Sequence, residues 1–473
     1  MRTSALQYLY LQKPVSSIIL IVILSILPWI WSGFHTIEET KNTEVATAIL
    51  ESGNWILPKT STGEIICQPP LSHWLIAAMS LPQGSISGFT PRLPAALSFV
   101  VLMAFVLLFF GRRLRFQEAF IAVLLLITCI EIHWAGISAN VNMIYTMFML
   151  IGLFKMYRWE NKLELKGLPI VIPLMFSGAI MTNGISGIIH PLVIFGCYLF
   201  FLRKYSFYKI IKSLFNIALT SLFIPAIWYI EGWRQGGAEF LQIALSEDIS
   251  NLIHAEDFRT FGHNKGYLFL SPIIGFFPWT LLLLCSLFGL NKSDITPANL
   301  IENDEEEIRT RKKMRLFCFI SAIGFFLLIF LSGKINASSF LPAYPFIAIF
   351  MAQYIIYLTE NRSYVTRIFA GILASVASVI IVIIILNLTH LVDFSTLLSP
   401  YLTEKSINTI TGIANAASFN NGVFTVLFIL LVMALGTTYY QMSKKINIKI
   451  LYATIFLVYC SYLFIDGVIM NHI

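Results

Sequence analysis

The sequence predicts an all-α protein that crosses a membrane many times, and three observations support this fold class. Hydrophobic residues make up 57% of the 473 residues and charged residues only 12%, whereas an average soluble domain carries about 25% charged residues. The mean hydropathy is +0.77. Apolar windows of about 20 residues, the length that a helix needs to span a bilayer, recur along the chain. This pattern excludes a cytosolic enzyme, a nucleic-acid-binding module and a disordered scaffold.

The apolar windows predict about 13 transmembrane helices. They cover roughly residues 14–33, 93–111, 118–134, 141–157, 168–181, 186–202, 210–230, 268–290, 316–331, 340–357, 368–388, 422–440 and 450–465. The fifth and sixth windows are short and meet at Thr182-Asn183-Gly184. A single hairpin that dips into the membrane from the outer face is therefore an alternative for these two windows.

The basic residues predict the orientation of these helices. With the amino terminus inside, 24 of the 32 Lys and Arg residues fall in inside segments and 8 in outside segments. Cytoplasmic loops of membrane proteins carry such an excess of positive charge. We therefore interpret the formal net charge of +7 as a sign of topology rather than of an acidic partner.

The first outer segment predicts two amphipathic surface helices, over residues 38–52 and 70–82. The first opens on Thr36-Ile37-Glu38-Glu39, which has the T-x-x-E form of a capping box, and Gly53 is suited to end it. The second opens after Pro69-Pro70, and its apolar face stands opposite its polar side chains. Both helices are expected to lie among the lipid headgroups.

Five short motifs, in order along residues 10 to 360, resemble the C-type superfamily of multispan glycosyltransferases. The similarity is closest to relatives of lipid A aminoarabinose transferase and of protein O-mannosyltransferases. The motifs are Glu38-Glu39-Thr40-Lys41, Pro69-Pro70-Leu71-Ser72-His73-Trp74, Pro91-Arg92-Leu93-Pro94, His263-Asn264-Lys265-Gly266 and Leu341-Pro342-Ala343-Tyr344-Pro345. The resemblance implies a transmembrane glycosyltransferase core over 1–360, with further transmembrane helices over 361–473.

The same resemblance implies the activity and the partners. Such enzymes move a sugar, usually with inversion, from a polyprenyl phosphate to an acceptor hydroxyl on a glycolipid, a glycan or a protein. The expected location is a bacterial inner membrane, with the active site on the periplasmic face. A catalytically degenerate protein that binds or assembles lipid-linked glycans is the alternative. A transporter or flippase is disfavoured because charges near the middle of the predicted spans are scarce.

Three acids are the candidates for catalysis. The resemblance places the catalytic base on Glu38, next to Glu39. Acids in a first helical turn also complement the helix dipole and complete capping boxes, so a structural role for both is the alternative. Glu131, near the outer end of the third span, could replace a family acid that reads Asn142 here. A carboxylate at the membrane interface is the other explanation for Glu131.

Other candidates would contact the donor phosphate and the substrate. The resemblance points to Lys41, Lys265, Lys334 and Asn183 for the phosphate, and to Gln68, Asn142 and His263 for the substrate loops. Lys41 replaces a family Arg and can still bind a phosphate as a point charge. Arg92 matches a family motif, and we expect it to anchor the chain at the headgroups.

A divalent metal (Zn, Mg or Mn) remains open as a cofactor. In relatives, an acid of the first loop and a His of an outer loop can hold such an ion. The corresponding residues here are Cys67 and His263, both of which are zinc-competent types. A free thiol with no metal role is the alternative for Cys67.

Overall fold

The computed structural model describes residues 3–26, 37–59, 65–86, 89–161, 163, 167–252, 270–287, 305–332, 337–389 and 422–469. Regular structure in these ranges is helical, apart from an isolated antiparallel bridge between Lys59 and Ile65. The main helices are α1 (Thr3–Ile26), α2 (Ile37–Ser52), α3 (Leu71–Ser80), α4 (Leu93–Gly111), α5 (Phe116–Ile127), α6 (Ile130–Ile137), α7 (Val141–Trp159), α8 (Val171–Asn183), α9 (Ser186–Leu202), α10 (Phe207–Ser221), α11 (Phe223–Leu252), α12 (Trp279–Leu287), α13 (Glu305–Ser332), α14 (Tyr344–Asn361), α15 (Ser363–Leu388), α16 (Gly422–Lys444) and α17 (Asn447–Phe464).

The predicted fold class is confirmed, since the chain is an all-helical polytopic membrane protein. Five helical stretches of the described residues are long and apolar enough to cross a membrane, and two bent helix pairs raise this number to seven. The five are Thr90–Gly111, Arg309–Ser332, Ser363–Leu386, Gly422–Lys444 and Asn447–Val468. Helices also lie at the other predicted windows, but several are short, so the count of 13 crossings stays a prediction.

Two predicted spans are bent helix pairs rather than straight helices. The axes of α5 and α6 differ by 66°, and the axes of α10 and α11 differ by 44°. At each break, hydroxyl side chains bond backward to carbonyls of the preceding turn. Thr128 Oγ1 donates to Leu124 O at 2.7 Å, and Ser221 Oγ donates to Ile217 O at 2.7 Å. Such bonds favour helix bending.

The described residues fall into two compact units. The larger comprises Met1–Ile23, Thr36–Phe276 and Asn299–Phe350. Its interior contains stacked and edge-on aromatic rings, with the ring centroids of Phe109 and Phe154 4.1 Å apart.

The smaller unit comprises Leu24–His35, Phe277–Ala298 and Met351–Ile473. There the Trp279 ring lies 5.7 Å from that of Phe369, and Arg362 Nη1 donates to Ser286 O at 3.2 Å. All the candidate residues discussed below lie in the larger unit.

Candidate functional site

Helices α2 and α3 pack against each other through small apolar side chains, and together we call them the α2–α3 platform. Ala46 and Ile49 of α2 are buried with Ile76 and Ala77 of α3. Gly53 follows α2 in the left-handed region (φ +67°), where its N–H donates to Ile49 O at 3.0 Å. Both helices form where the sequence predicts them. Their position among the lipid headgroups stays a prediction.

A buried ion pair between Glu39 and Arg92 fixes the platform. The two oxygens of Glu39 lie 2.9 Å from Arg92 Nε and 3.2 Å from Nη2, and both side chains are 2% exposed. The N–H of Ala139 also donates to Glu39 Oε1, at 3.0 Å. The expectation that Arg92 anchors at the headgroups is wrong, because its guanidinium pairs with an internal carboxylate. The same contacts favour a positioning role for Glu39 over proton transfer.

A second link joins the platform to the same loop. Asn42 Nδ2 donates to Ala139 O at 3.0 Å, so Glu39 and Asn42 hold both backbone groups of Ala139. Asn42 Oδ1 lies 3.3 Å from His73 Nε2. Burial lowers the pKa of His73 to about 4, against a smaller rise from the Pro69 backbone. His73 is therefore neutral at pH 7, and its Nε2 shares a hydrogen bond with Asn42.

A polar cavity of about 250 Å³ opens beside these links. Its described lining comes from five separate parts of the chain and consists of Asn42, Gln68, Pro69, Ser72, His73, Val141, Thr182, Asn183, Glu247 and Ser250. Amide, hydroxyl and imidazole groups predominate in this set, and Glu247 supplies its one carboxyl group. None of the described lining residues is Lys or Arg. Such a lining suits a small ligand that is rich in hydrogen-bonding groups.

Glu247 reaches the cavity because α11 reverses direction. Gly237 has φ +65° and ψ −152°, a conformation outside the helical region that glycine adopts readily. After this turn the Tyr229 hydroxyl bonds to Asp248. In a straight helix these residues would lie about 28 Å apart at 1.5 Å per residue. The second half of α11 therefore folds back along the first half.

The turn between α8 and α9 packs closely on this folded helix. Gly184 has φ +70°, and a Cβ at this position would lie 2.1 Å from Asp248 Oδ1. A side chain larger than hydrogen is therefore excluded at Gly184 without a backbone shift. Asn183, the residue before it, donates from Nδ2 to Ser186 Oγ at 3.0 Å. Because Gly184 packs on Asp248, this contact sets the spacing of the cavity-lining residues that precede each of them, Asn183 and Glu247.

Comparisons with known proteins agree with the fold and the order of these segments. A family model described as dolichyl-phosphate-mannose-protein mannosyltransferase matches residues 67–229, about a third of the chain. ArnT from Cupriavidus metallidurans bound to undecaprenyl phosphate superposes with a TM-score of 0.69 at 15% identity, covering 96% of this chain and 76% of that one. The resemblance to the C-type glycosyltransferases is confirmed. No curated protein sequence matches the chain.

Two further solved structures resemble the chain. The apo state of the same ArnT gives a TM-score of 0.66 at 15% identity and covers 94% of this chain and 75% of that one. The Archaeoglobus fulgidus oligosaccharyltransferase in complex with Zn and sulfate gives 0.42 at 14% identity, with 76% and 51% covered. The ArnT superposition establishes that the chain has the fold of ArnT.

Two residues that the C-type resemblance singles out meet at the cavity. Gln68 and Asn183 line it, and their side chains come from segments more than 100 residues apart. Lys41 is exposed on α2, directly before the lining residue Asn42. The backbone of Glu38 lies in the first turn of α2, one helical turn before Asn42. The side chain of Glu38 lies outside the described residues.

Glu131 and Asn142 point to other neighbours. Asn142 Nδ2 donates to Ser338 Oγ at 2.8 Å. Glu131 packs beside Gly275, where an added Cβ would lie 3.1 Å from Glu131 Cβ and would overlap the Tyr344 hydroxyl. Neither residue belongs to the described lining of the cavity. The role of Glu131 as a substitute for the acid missing at Asn142 stays a prediction.

Cys67 does not fit a metal ligand. It is 2% exposed in an apolar cluster with Leu57, Trp228 and Phe240. Burial, with the negative charge of Glu247, raises the pKa of its thiol to about 11, whereas metal ligation requires the thiolate. No group of three or more His, Cys, Asp or Glu side chains is placed to hold an ion within the ranges that the structure describes.

Three further candidates, His263, Lys265 and Lys334, lie outside the described residues. Conversely, Glu247, Ser72 and His73 line the cavity although the sequence patterns assign them no role there. Ser72 is 1% exposed, lines the cavity, and its Oγ has no hydrogen-bond partner among the described residues. The Gly236-Gly237 pair in the long outer segment is the sequence signal that could have indicated the turn that brings Glu247 in.

Proposed function

We propose that the chain is a membrane glycosyltransferase that moves a sugar from a polyprenyl-phosphate donor to an acceptor hydroxyl. One observation carries the proposal: in the fold of ArnT, a polar cavity opens one helical turn from Glu38 and next to Lys41. The ArnT structure contains undecaprenyl phosphate. We extend this donor lipid to the present chain, with the reaction on the periplasmic face of a bacterial inner membrane and a glycolipid, glycan or protein as acceptor.

The reaction is a single displacement in which Glu38 acts as the base. Its carboxylate accepts the proton of the acceptor hydroxyl while the hydroxyl oxygen forms a bond to the anomeric carbon. The bond from that carbon to the phosphate oxygen breaks, and the phosphate leaves with the electron pair. Attack from the face opposite the phosphate inverts the anomeric centre. One carboxylate suffices because the phosphate itself stabilises the departing negative charge.

Charge compensation at the phosphate falls to basic side chains. Lys41 follows Glu38 by three residues on α2, so the two backbone positions are neighbours on one helix surface. The side chain of Lys41 is exposed and does not line the cavity, so its ammonium group can bind a phosphate as a point charge. Lys265 and Lys334 are further candidates for this role. No step is assigned to a metal, because the described neighbours of Cys67 are apolar side chains.

The ion pair between Glu39 and Arg92 holds the backbone that carries Glu38 in place. It holds the first turn of α2 against Arg92 and against the Ala139 loop, so the neighbouring Glu38 starts from a fixed backbone. Asn42 repeats this attachment one turn later. The acid that catalyses and the acid that positions are thus adjacent in sequence and separate in function.

The first test is the replacement of Glu38 by Gln. We expect Glu38→Gln to lower transfer of the sugar by about 10²-fold or more, because an amide cannot accept the proton. The measurement is mass spectrometry of polyprenyl-phosphate sugars and envelope glycans in cells with the wild-type, deleted or variant gene. One lipid-linked sugar should accumulate and one glycan should lose that sugar in both defective strains.

The matched control is Glu44→Gln, which removes an exposed acid on the same helix. It should leave the glycans unchanged. If deletion alters the glycans while Glu38→Gln does not, the fold serves to bind or assemble lipid-linked glycans, or another residue is the base. If deletion alters neither the lipid pool nor the glycans, the proposed transferase activity is contradicted.

A further inference from the structure

Glu247 has the position of a ligand-binding acid rather than of a structural one. It lines the polar cavity and is only half-buried, and it makes no ion pair with the residues that the structure describes. Gln68, on another segment of the lining, faces the same cavity. By contrast, the next residue, Asp248, is buried against Tyr229 and Gly184.

The lining of the cavity matches a sugar ring better than a phosphate group. A phosphate is an acceptor with negative charge and is bound by cations and N–H donors, and the described lining offers a carboxylate and no Lys or Arg. Sugar hydroxyls both donate and accept hydrogen bonds. They can therefore donate to a carboxylate, and they can donate to or accept from an amide. The volume of about 250 Å³ lies below the roughly 300–1,000 Å³ of sites for drug-sized ligands, which suits one small polar ring.

An unused polar atom in the lining independently indicates a ligand. Ser72 Oγ is buried and has no hydrogen-bond partner among the described residues. A buried hydroxyl without a partner costs about 1–3 kcal/mol of stability. This cost is removed when a ligand in the cavity supplies the missing hydrogen bond. Ser72 and Gln68 flank Pro69 and Pro70, whose rings restrict the backbone between them.

We propose that Glu247, together with Gln68 and Ser72, binds the hydroxyl groups of the sugar that the donor lipid carries. This inference rests on the proposed function and adds which residues bind the sugar and which bind the phosphate. The sugar ring occupies the cavity against Glu247, and the phosphate lies outside it, towards Lys41. Glu247 thereby determines which sugars are accepted, and Glu38 acts on the acceptor hydroxyl.

The test separates binding of the sugar from binding of the lipid phosphate. Full-length protein in nanodiscs is titrated with undecaprenyl phosphate, and with undecaprenyl phosphate that carries a neutral hexose or an amino sugar. The wild type should bind at least one sugar-bearing lipid more tightly than the bare lipid. Glu247→Gln should weaken binding of that sugar-bearing lipid tenfold or more, and should leave the affinity for the bare lipid within twofold.

Two companion variants make the result specific. The exchange Gln68→Glu with Glu247→Gln keeps one carboxylate and one amide at these two lining positions, so it should restore part of the sugar-dependent affinity. Glu239→Gln removes an exposed acid two turns earlier on the same helix and should bind like the wild type. Restoration by the exchange would not follow from a purely structural role of Glu247.

The remaining outcomes distinguish the two proposals. If Glu247→Gln weakens both lipids equally, or weakens neither, the assignment of Glu247 to the sugar is overturned and the proposed function stands. If the wild type binds no polyprenyl lipid of either kind, the proposed function fails and this inference fails with it.

Discussion

Two buried glutamates of the larger unit are paired with cations in different ways. Glu39 makes two short contacts to one guanidinium, at 2.9 and 3.2 Å, in the interior. Glu160, at the end of α7, accepts a hydrogen bond from Tyr198 at 3.2 Å on Oε2, while Lys204 and Lys313 stay 3.8 Å from Oε1. Lys204 is 44% exposed and Lys313 is 30% exposed.

The Glu39–Arg92 pair and the Glu160 cluster differ in how rigidly each holds its side chains. A planar guanidinium fixes both distance and direction, whereas an ammonium on a flexible stem supplies charge at a variable position. The fixed pair lies next to the candidate base, and the loose pairs lie at the opposite, predicted cytoplasmic, ends of the helices. The Glu160 cluster thus holds helices together through charge and through the Tyr205 hydroxyl, which donates to the Glu160 backbone at 2.8 Å.

Breaking the tight pair should have the largest effect. Arg92→Met leaves the Glu39 carboxylate buried without its cation, and we expect a loss of about 3–5 kcal/mol in the free energy of unfolding. The measurement is reversible unfolding of the purified protein in detergent or bilayer. The double variant Glu39→Met with Arg92→Met removes both charges and should cost less than Arg92→Met alone. Equal costs for the single and the double variant would contradict a coupled pair.

Neutralising the loose cluster should cost less. Glu160→Gln keeps an acceptor for Tyr198 but loses the attraction of Lys204 and Lys313, so we expect a loss of about 1–2 kcal/mol. Because both ammonium groups reach solvent, this loss should shrink at high salt. The check is the unfolding free energy at low and high ionic strength. A salt-independent loss as large as that of Arg92→Met would show that the two clusters are equivalent.

Removing one surface cation should have the smallest effect. Lys204→Ala deletes an exposed ammonium that also donates to Asn161 Oδ1 at 2.9 Å. Exposed ion pairs contribute about 0–1 kcal/mol, and Lys313 remains beside Glu160. The thermal midpoint should therefore move little, and sugar transfer should not change. A loss above about 2 kcal/mol would mean that Lys204 carries the cluster alone.

The hydropathy of the sequence predicts the positions of the helices but not their bends. The windows at 93–111 and 186–202 coincide with α4 and α9. The breaks after Ile127 and Ser221 are invisible to an average over 20 residues, because they depend on hydroxyl groups that bond to the preceding turn. The same averaging gives 13 windows, although only five unbroken helices of the described part have the length and composition of a span.

The sequence predicts those residues of the candidate site that belong to a short family motif. Gln68 and Asn183 were identified through the C-type resemblance and line one cavity. The role of Arg92 was missed because its partner, Glu39, is 53 residues away and nothing in either motif indicates the pairing. No sequence motif marks Glu247, because the course of the second half of α11 depends on one residue with positive φ, Gly237.

The turn at Gly237 also has a consequence for biosynthesis. Because α11 folds back on itself, every described residue that lines the cavity lies between Asn42 and Ser250. At about 5–20 residues per second, synthesis of the rest of the chain takes on the order of tens of seconds after that point. The parts of the cavity can therefore meet while the carboxyl-terminal helices are still being made. All of the described lining has been synthesised once the ribosome has passed Leu252.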